Sequence, residues 1–127
     1  MTPNHDLFRS LFSLCNARVD TYDHLPDAET KYPFVYLGES NGSDIPNNDV
    51  LGTVRQTIHL YGLREHRAHL DKISAYLEGA VKLLKDGYEH KLAHLSTSKQ
   101  VIPDNTDVQP LLHIVLDVTF NYTKKET

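Results

Sequence analysis

The sequence holds one cysteine, one methionine and no tryptophan, and it has no block of like charges and no long apolar run. A lone cysteine excludes an intrachain disulfide, and Cys15 sits among Leu11, Phe12 and Leu14, where a buried, inert thiol is expected. No stretch approaches the ~20 apolar residues of a membrane-spanning helix. The first residues lack a basic stretch followed by an apolar core, so no secretory leader is expected. These absences predict a soluble chain kept in a reducing cytoplasm, with no membrane partner. Thirteen basic residues against seventeen acidic ones leave a net charge of −4. The basic residues are scattered apart from Lys124-Lys125, which is a poor basis for neutralising phosphates, and no sequence-specific nucleic-acid binding is expected.

Catalytic signatures are missing too. Gly38, Gly42 and Gly52 are too dispersed for a phosphate-cradling loop, and no Gly-x-Ser-x-Gly turn occurs. No spacing links a nucleophile to a base. The reading is therefore of a non-enzyme that needs no cofactor.

What is present is an ordinary globular balance over 127 residues, 39% apolar and 24% charged. That length suits one domain, spanning residues 1–127 with a loose end at about 123–127, able to bury roughly two-thirds of its unfolded surface. Thr2-Pro3-Asn4 with Asp6 reads as a helix start. Leu7, Phe8, Leu11, Phe12, Leu14 and Cys15 continue at helical spacing to about Asn16. Arg18 to Tyr22 alternates weakly as a short strand, and Asp23 to Pro33 reads as a loop. Phe34 to Glu39 is aromatic and β-branched, a strand. Ser40 to Asp49, with Asn41-Gly42, Ile45-Pro46 and Asn47-Asn48, reads as the longest loop and as a working one.

Leu51 to Leu63 alternates, with Val54, Ile58 and Leu60 on one parity and Arg55, Thr57, His59 and Tyr61 on the other. The period then changes. Leu70, Ile73, Leu77, Ala80, Val81 and Leu84 form one stripe, predicting an amphipathic helix over Glu65 to Leu84 that ends before Gly87. The charged turn of Lys85, Asp86, Glu89 and Lys91 reads as a solvated connection. Lys91 to Ile102 reads as a strand, with Leu92, His94 and Ser96 opposed to Ala93, Leu95 and Thr97. The last strand runs Leu112, Ile114, Leu116, Val118, Phe120 and Tyr122 on one face, with His113, Asp117, Thr119 and Asn121 on the other. The pattern predicts an α+β fold: a single-layer, mostly antiparallel sheet of about four strands, open to a parallel pair, with two helices on one face.

Two sets of side chains stand out. Eight histidines raise a metal reading, in which His66 and His69, one helical turn apart beside Glu65 and Asp71, take a third ligand from His59. The segment His66-Arg67-Ala68-His69 lacks the glutamate and the four-residue spacing of a zinc-peptidase helix, and solvated histidines explain it equally well. The second set is the outer parity of the long strand. Arg55, His59 and Tyr61, with Asp44 and Asn47 in the neighbouring loop, are the interface candidates, because Arg and Tyr combine large contact area with a polar handle. His113 and Asp117 can extend that face.

The stretch Tyr32-Pro33-Phe34-Val35-Tyr36-Leu37-Gly38-Glu39, after an N-terminal helix and before a long strand ending His59-Leu60-Tyr61-Gly62 and an amphipathic helix, resembles the tail-terminator (tail-completion) proteins of long-tailed bacteriophages. The resemblance implies a structural assembly protein that caps the tail tube, fixes tail length and offers the head-joining surface. It implies a homo-oligomeric ring, a hexamer in that family, built from head-to-tail contacts. Its partners would be the tail tube protein and a head–tail connector protein, and its location the host cytoplasm and then the virion. A neighbouring role as a neck connector or minor capsid protein is the alternative. The acidic balance suits a lumen through which DNA slides without sticking.

Overall fold

The computed structural model describes residues 1–45, 48–105 and 110–126, with side chains described at all of these except 45 and 48–50. Helix α1 (Pro3–Asn16) opens where the proline and cap predict: the Thr2 hydroxyl accepts from the His5 N–H, and Asp6 lies in the first turn. Strand β1 (Thr21–Tyr22) follows, then β2 (Phe34–Ile45) and β3 (Asn48–Leu63). A 3-10 turn (Arg64–His66) leads into helix α2 (Arg67–Leu83), and β4 (His90–Asp104) and β5 (Leu111–Lys124) complete the fold.

Among the described residues the sheet has five strands in the order β1-β2-β3-β5-β4, against about four expected, and the short strand read at Arg18 to Tyr22 narrows to the two-residue β1. β1 pairs parallel to β2, whereas β2, β3, β5 and β4 are antiparallel in succession, so the sheet is mixed by that one short strand. Both helices lie on one face. Leu7, Leu11 and Cys15 of α1 and Leu70, Leu77 and Val81 of α2 meet Val35, Leu37, Val54, Ile58, Leu60 and the even-numbered apolar residues of β5 in one core. Burial pushes the Cys15 thiol up to about 12, which keeps it protonated and unreactive. No helix among the described residues is long and apolar enough to cross a membrane.

One segment corrects the sequence reading. Ser40 to Asp44 is strand, not loop, paired residue for residue with Gln56 back to Gly52 of β3. Small polar residues look like a loop because they bury little, but here the ladder and not the side chains fixes the backbone. Asn47 lies outside the described residues.

A register shift between Leu37 and Ser40 sets Gly38 and Glu39 together against Thr57. The buried amide of Gln56, 1% exposed, donates to the Gly38, Glu39 and Thr57 carbonyls, at 3.1, 3.2 and 3.0 Å, and so pins the bulge from the core side. A second bulge falls at Leu95, between His94 and Ser96 of β4, and reverses the alternation that the sequence reading ran straight through Thr97.

Asp6 does more than favour a helix dipole. Fully buried, its carboxylate accepts from the Tyr88 N–H (2.6 Å), the Glu89 N–H (2.8 Å) and His90 Nδ1 (2.7 Å). The turn before β4, which reads as a solvated connection, is thus the dock of α1. Gly87 is the residue that admits the carboxylate, since a Cβ there would collide with it. Burial alone would raise the Asp6 carboxyl, but the bonds from His90, Tyr88 and Glu89 outweigh it and hold the group below its ordinary value.

Candidate functional site

The face of the sheet away from the helices is built by the outer parity of three strands. Antiparallel register sets Phe34 opposite Tyr61, Tyr36 opposite His59, and Tyr61 opposite His113. The rings make a continuous ladder across β2, β3 and β5. Tyr32 stacks on Phe34 (5.5 Å between centroids), Phe34 on Tyr61 (5.2 Å), and Tyr61 on His113 (4.1 Å, 11° between planes). Tyr36 stacks on His59 at 5.2 Å, and His59 on His113 at 5.0 Å. Such cross-strand ring pairs contribute roughly 0.2–1 kcal/mol each and restrict the side chains they join.

Polar contacts complete the face. His59 Nε2 lies 3.0 Å from Glu39 Oε1, and His59 Nδ1 lies 2.8 Å from His113 Nε2. A carboxylate can only accept, so with His59 neutral the proton sits on Nε2 and Nδ1 accepts from His113. Glu39 reaches this face because of the bulge: without the extra residue, its side chain would fall on the core side. Gly38 completes the fit, since a Cβ there would sit 3.0 Å from the His59 ring. Farther along, the Thr57 hydroxyl donates to Asp117 at 2.5 Å, and Arg55 Nε donates to the Thr119 hydroxyl at 3.2 Å.

The electrostatics follow from this packing. The His59 hydrogen bond holds the Glu39 carboxyl below its ordinary value. Burial first, and then the adjacent His59 ring, push His113 below the usual imidazole range. Burial, helped by Asp104, raises the Tyr61 phenol. For His113 the folded value lies below the unfolded one, so the native state loses stability as pH falls through the window between them. His59→Ala removes both the repulsion and part of the burial. An NMR titration of the His113 ring should then move toward ordinary imidazole; an unchanged or lower midpoint contradicts this account.

Three of the sequence candidates, Arg55, His59 and Tyr61, thus share one face with His113 and Asp117. Asp44 lies apart from them, exposed near the far end of β2 opposite Gly52. The three histidines of the metal reading are not brought together. His59 points away from the helices and is engaged by Glu39 and His113, while His66 and His69 are exposed at the start of α2 on the opposite side. Among the described residues no group of three or more His, Cys, Asp or Glu side chains is placed to hold a metal ion. Sequence reasoning missed Glu39 as a partner of His59, and no local signal points to it, because the contact needs the bulge.

The face is accordingly a prearranged surface of stacked rings and paired polar groups. Compared with known proteins, the sequence matches no family model and no curated relative.

Proposed function

We propose that this chain is a structural assembly protein of a long-tailed phage, a tail terminator that forms a ring on the tail tube, stops its growth and offers the surface for head joining. The observation that carries the reading is where the two stretches of the resemblance fall. Phe34 to Leu37 and Ile58 to Tyr61 are cross-strand partners, and together they supply most of the ring ladder on the uncovered face. A surface whose side chains already hold one another loses little conformational freedom on binding, which suits stacking against a protein ring. Tyr and Arg on this face are the residue types that anchor such contacts. The mild acidity of the chain agrees with a lumen that repels DNA phosphate.

The test is electron microscopy of particles from the parent phage with this reading frame deleted. Headless tails of irregular, excessive length beside filled heads are expected. Tails of normal length with unjoined heads would move the role to a neck connector, and intact virions would overturn both assignments.

A further inference from the structure

Each outer strand of the antiparallel part of the sheet leaves one window of backbone without a partner among the described residues. On β4, the Leu92 N–H bonds to the Lys85 carbonyl, so Leu92 faces away from β5. The bulge at Leu95 reverses the phase, after which Thr97, Lys99 and Val101 turn their N–H and C=O groups outward. Pro103, with no N–H to donate, falls on the same outward phase, where a sheet tolerates it. On β2, the Val35 N–H bonds outward to the Asp20 carbonyl, where β1 covers the edge. β1 pairs only with Val35 and Tyr36. Past the bulge, Ser40, Gly42 and Asp44 face outward and are exposed.

The two windows are complementary. Each offers three outward residues. In both, the side chains of those residues lie on the helix side: Lys99 reaches Glu78 of α2 at 3.3 Å, and Gly42 lies beneath Asn4 of α1. β2 and β4 also run in opposite directions, because only β3 and β5 lie between them and the three successive pairings are all antiparallel. A second copy related by rotation about an axis along the strands therefore brings β4 of one against β2 of the next in antiparallel order, with the helices on the same side of both.

We infer that the β4 window of one copy pairs with the β2 window of the next, joining copies head to tail through a continued sheet. Charge selects this occupant. With Lys99 set against Gly42, Thr97 faces Asp44 and the Lys99 ammonium comes within diagonal reach of the Asp44 carboxylate. A two-fold β4–β4 contact centred on the same window would set Lys99 against its own copy, and like charges directly opposite are unfavourable. Leu95, Val101 and Ile102 add apolar area at that edge, being 56%, 43% and 37% exposed. The pairing rests on the ring reading for its purpose, whereas its geometry is independent of any phage assignment.

The experiment uses the full chain. Thr97→Cys and Asp44→Cys are made separately, oxidised alone and as an equal mixture, and Val101→Pro is examined by light scattering and thermal melting. Cys15, fully buried, takes no part. Expected are a mixed disulfide only in the mixture, and a Val101→Pro chain that loses its oligomer yet still melts cooperatively as a folded monomer, since only an outward N–H is removed. Three results overturn the inference: a disulfide in Thr97→Cys alone, a wild-type chain that stays monomeric with no mixed disulfide, or a Val101→Pro chain that still assembles. These outcomes separate from the tail phenotype. Intact virions together with the mixed disulfide would remove the tail assignment and keep the edge pairing, and overlong tails without it would do the reverse.

Discussion

Asp6→Ala should unfold the protein more readily than any other single change at a polar residue described above. The substitution leaves the Tyr88 and Glu89 N–H groups and His90 Nδ1 buried with no acceptor. Breaking a buried hydrogen-bonded pair from one side costs about 3–5 kcal/mol, against a total stability of about 5–15 kcal/mol for a domain of ordinary size. Thermal or denaturant unfolding at neutral pH checks this, and Asp6→Asn, which keeps one acceptor and the shape, should lose less. The pH dependence gives a second, sharper readout. The Asp6 carboxyl is held below its unfolded value, so its contribution is complete above about pH 4 and drains away as pH falls through the folded value. The gap between wild type and Asp6→Ala should therefore be widest at neutral pH and close in acid. A gap independent of pH would mean that lost packing, and not the carboxylate, accounts for the change.

Phe120→Ala is the second large effect, and its origin is apolar. Phe120 is fully buried on the core face of β5, paired with Val54 of β3 on one side and His94 of β4 on the other, whose ring meets it edge-on at 5.5 Å. Truncation removes the largest fully buried side chain and leaves a cavity bounded by two strands that cannot close in, because their ladders hold them apart. The expected loss is about 3–5 kcal/mol, with Phe120→Leu costing much less because most of the volume stays filled. Calorimetry on both variants decides it; a Phe120→Ala chain that melts within a degree or two of wild type would show that the core collapses around the gap.

How much of this was legible in the sequence depended on how far apart the interacting residues lie. Phe120 belongs to the alternation Leu112 to Tyr122, a two-residue period that any half-buried strand must show, and its inward face followed directly. The stripe Leu70, Leu77 and Val81 placed α2 in the same way, and the outer parity of Arg55, Thr57, His59 and Tyr61 was plain. What periodicity cannot convey is register. That Tyr61 lies against His113, or that Glu39 meets His59, depends on which residues of two strands face each other and on a bulge pinned by Gln56. Ser40 to Asp44 reads as a loop because its residues bury nothing that would mark a strand. Asp6 reads as a dipole residue, and the turn at Gly87 as a solvated one. Each looks ordinary on its own, since their chemistry exists only when they meet.

That meeting has a consequence for the order in which the molecule can be made. Asp6 and His90 stand 84 positions apart, and the chain is synthesised from the end that holds Asp6. On the ribosome α1 is finished long before its donors at Tyr88, Glu89 and His90 exist. Until then its stripe of Leu7, Leu11 and Cys15 has only part of its cover, and its carboxylate has water. Of the two helices, the one made earlier is thus among the last elements to be secured, and a nascent or truncated chain ending before residue 88 presents that stripe to whatever chaperone or neighbouring chain is at hand.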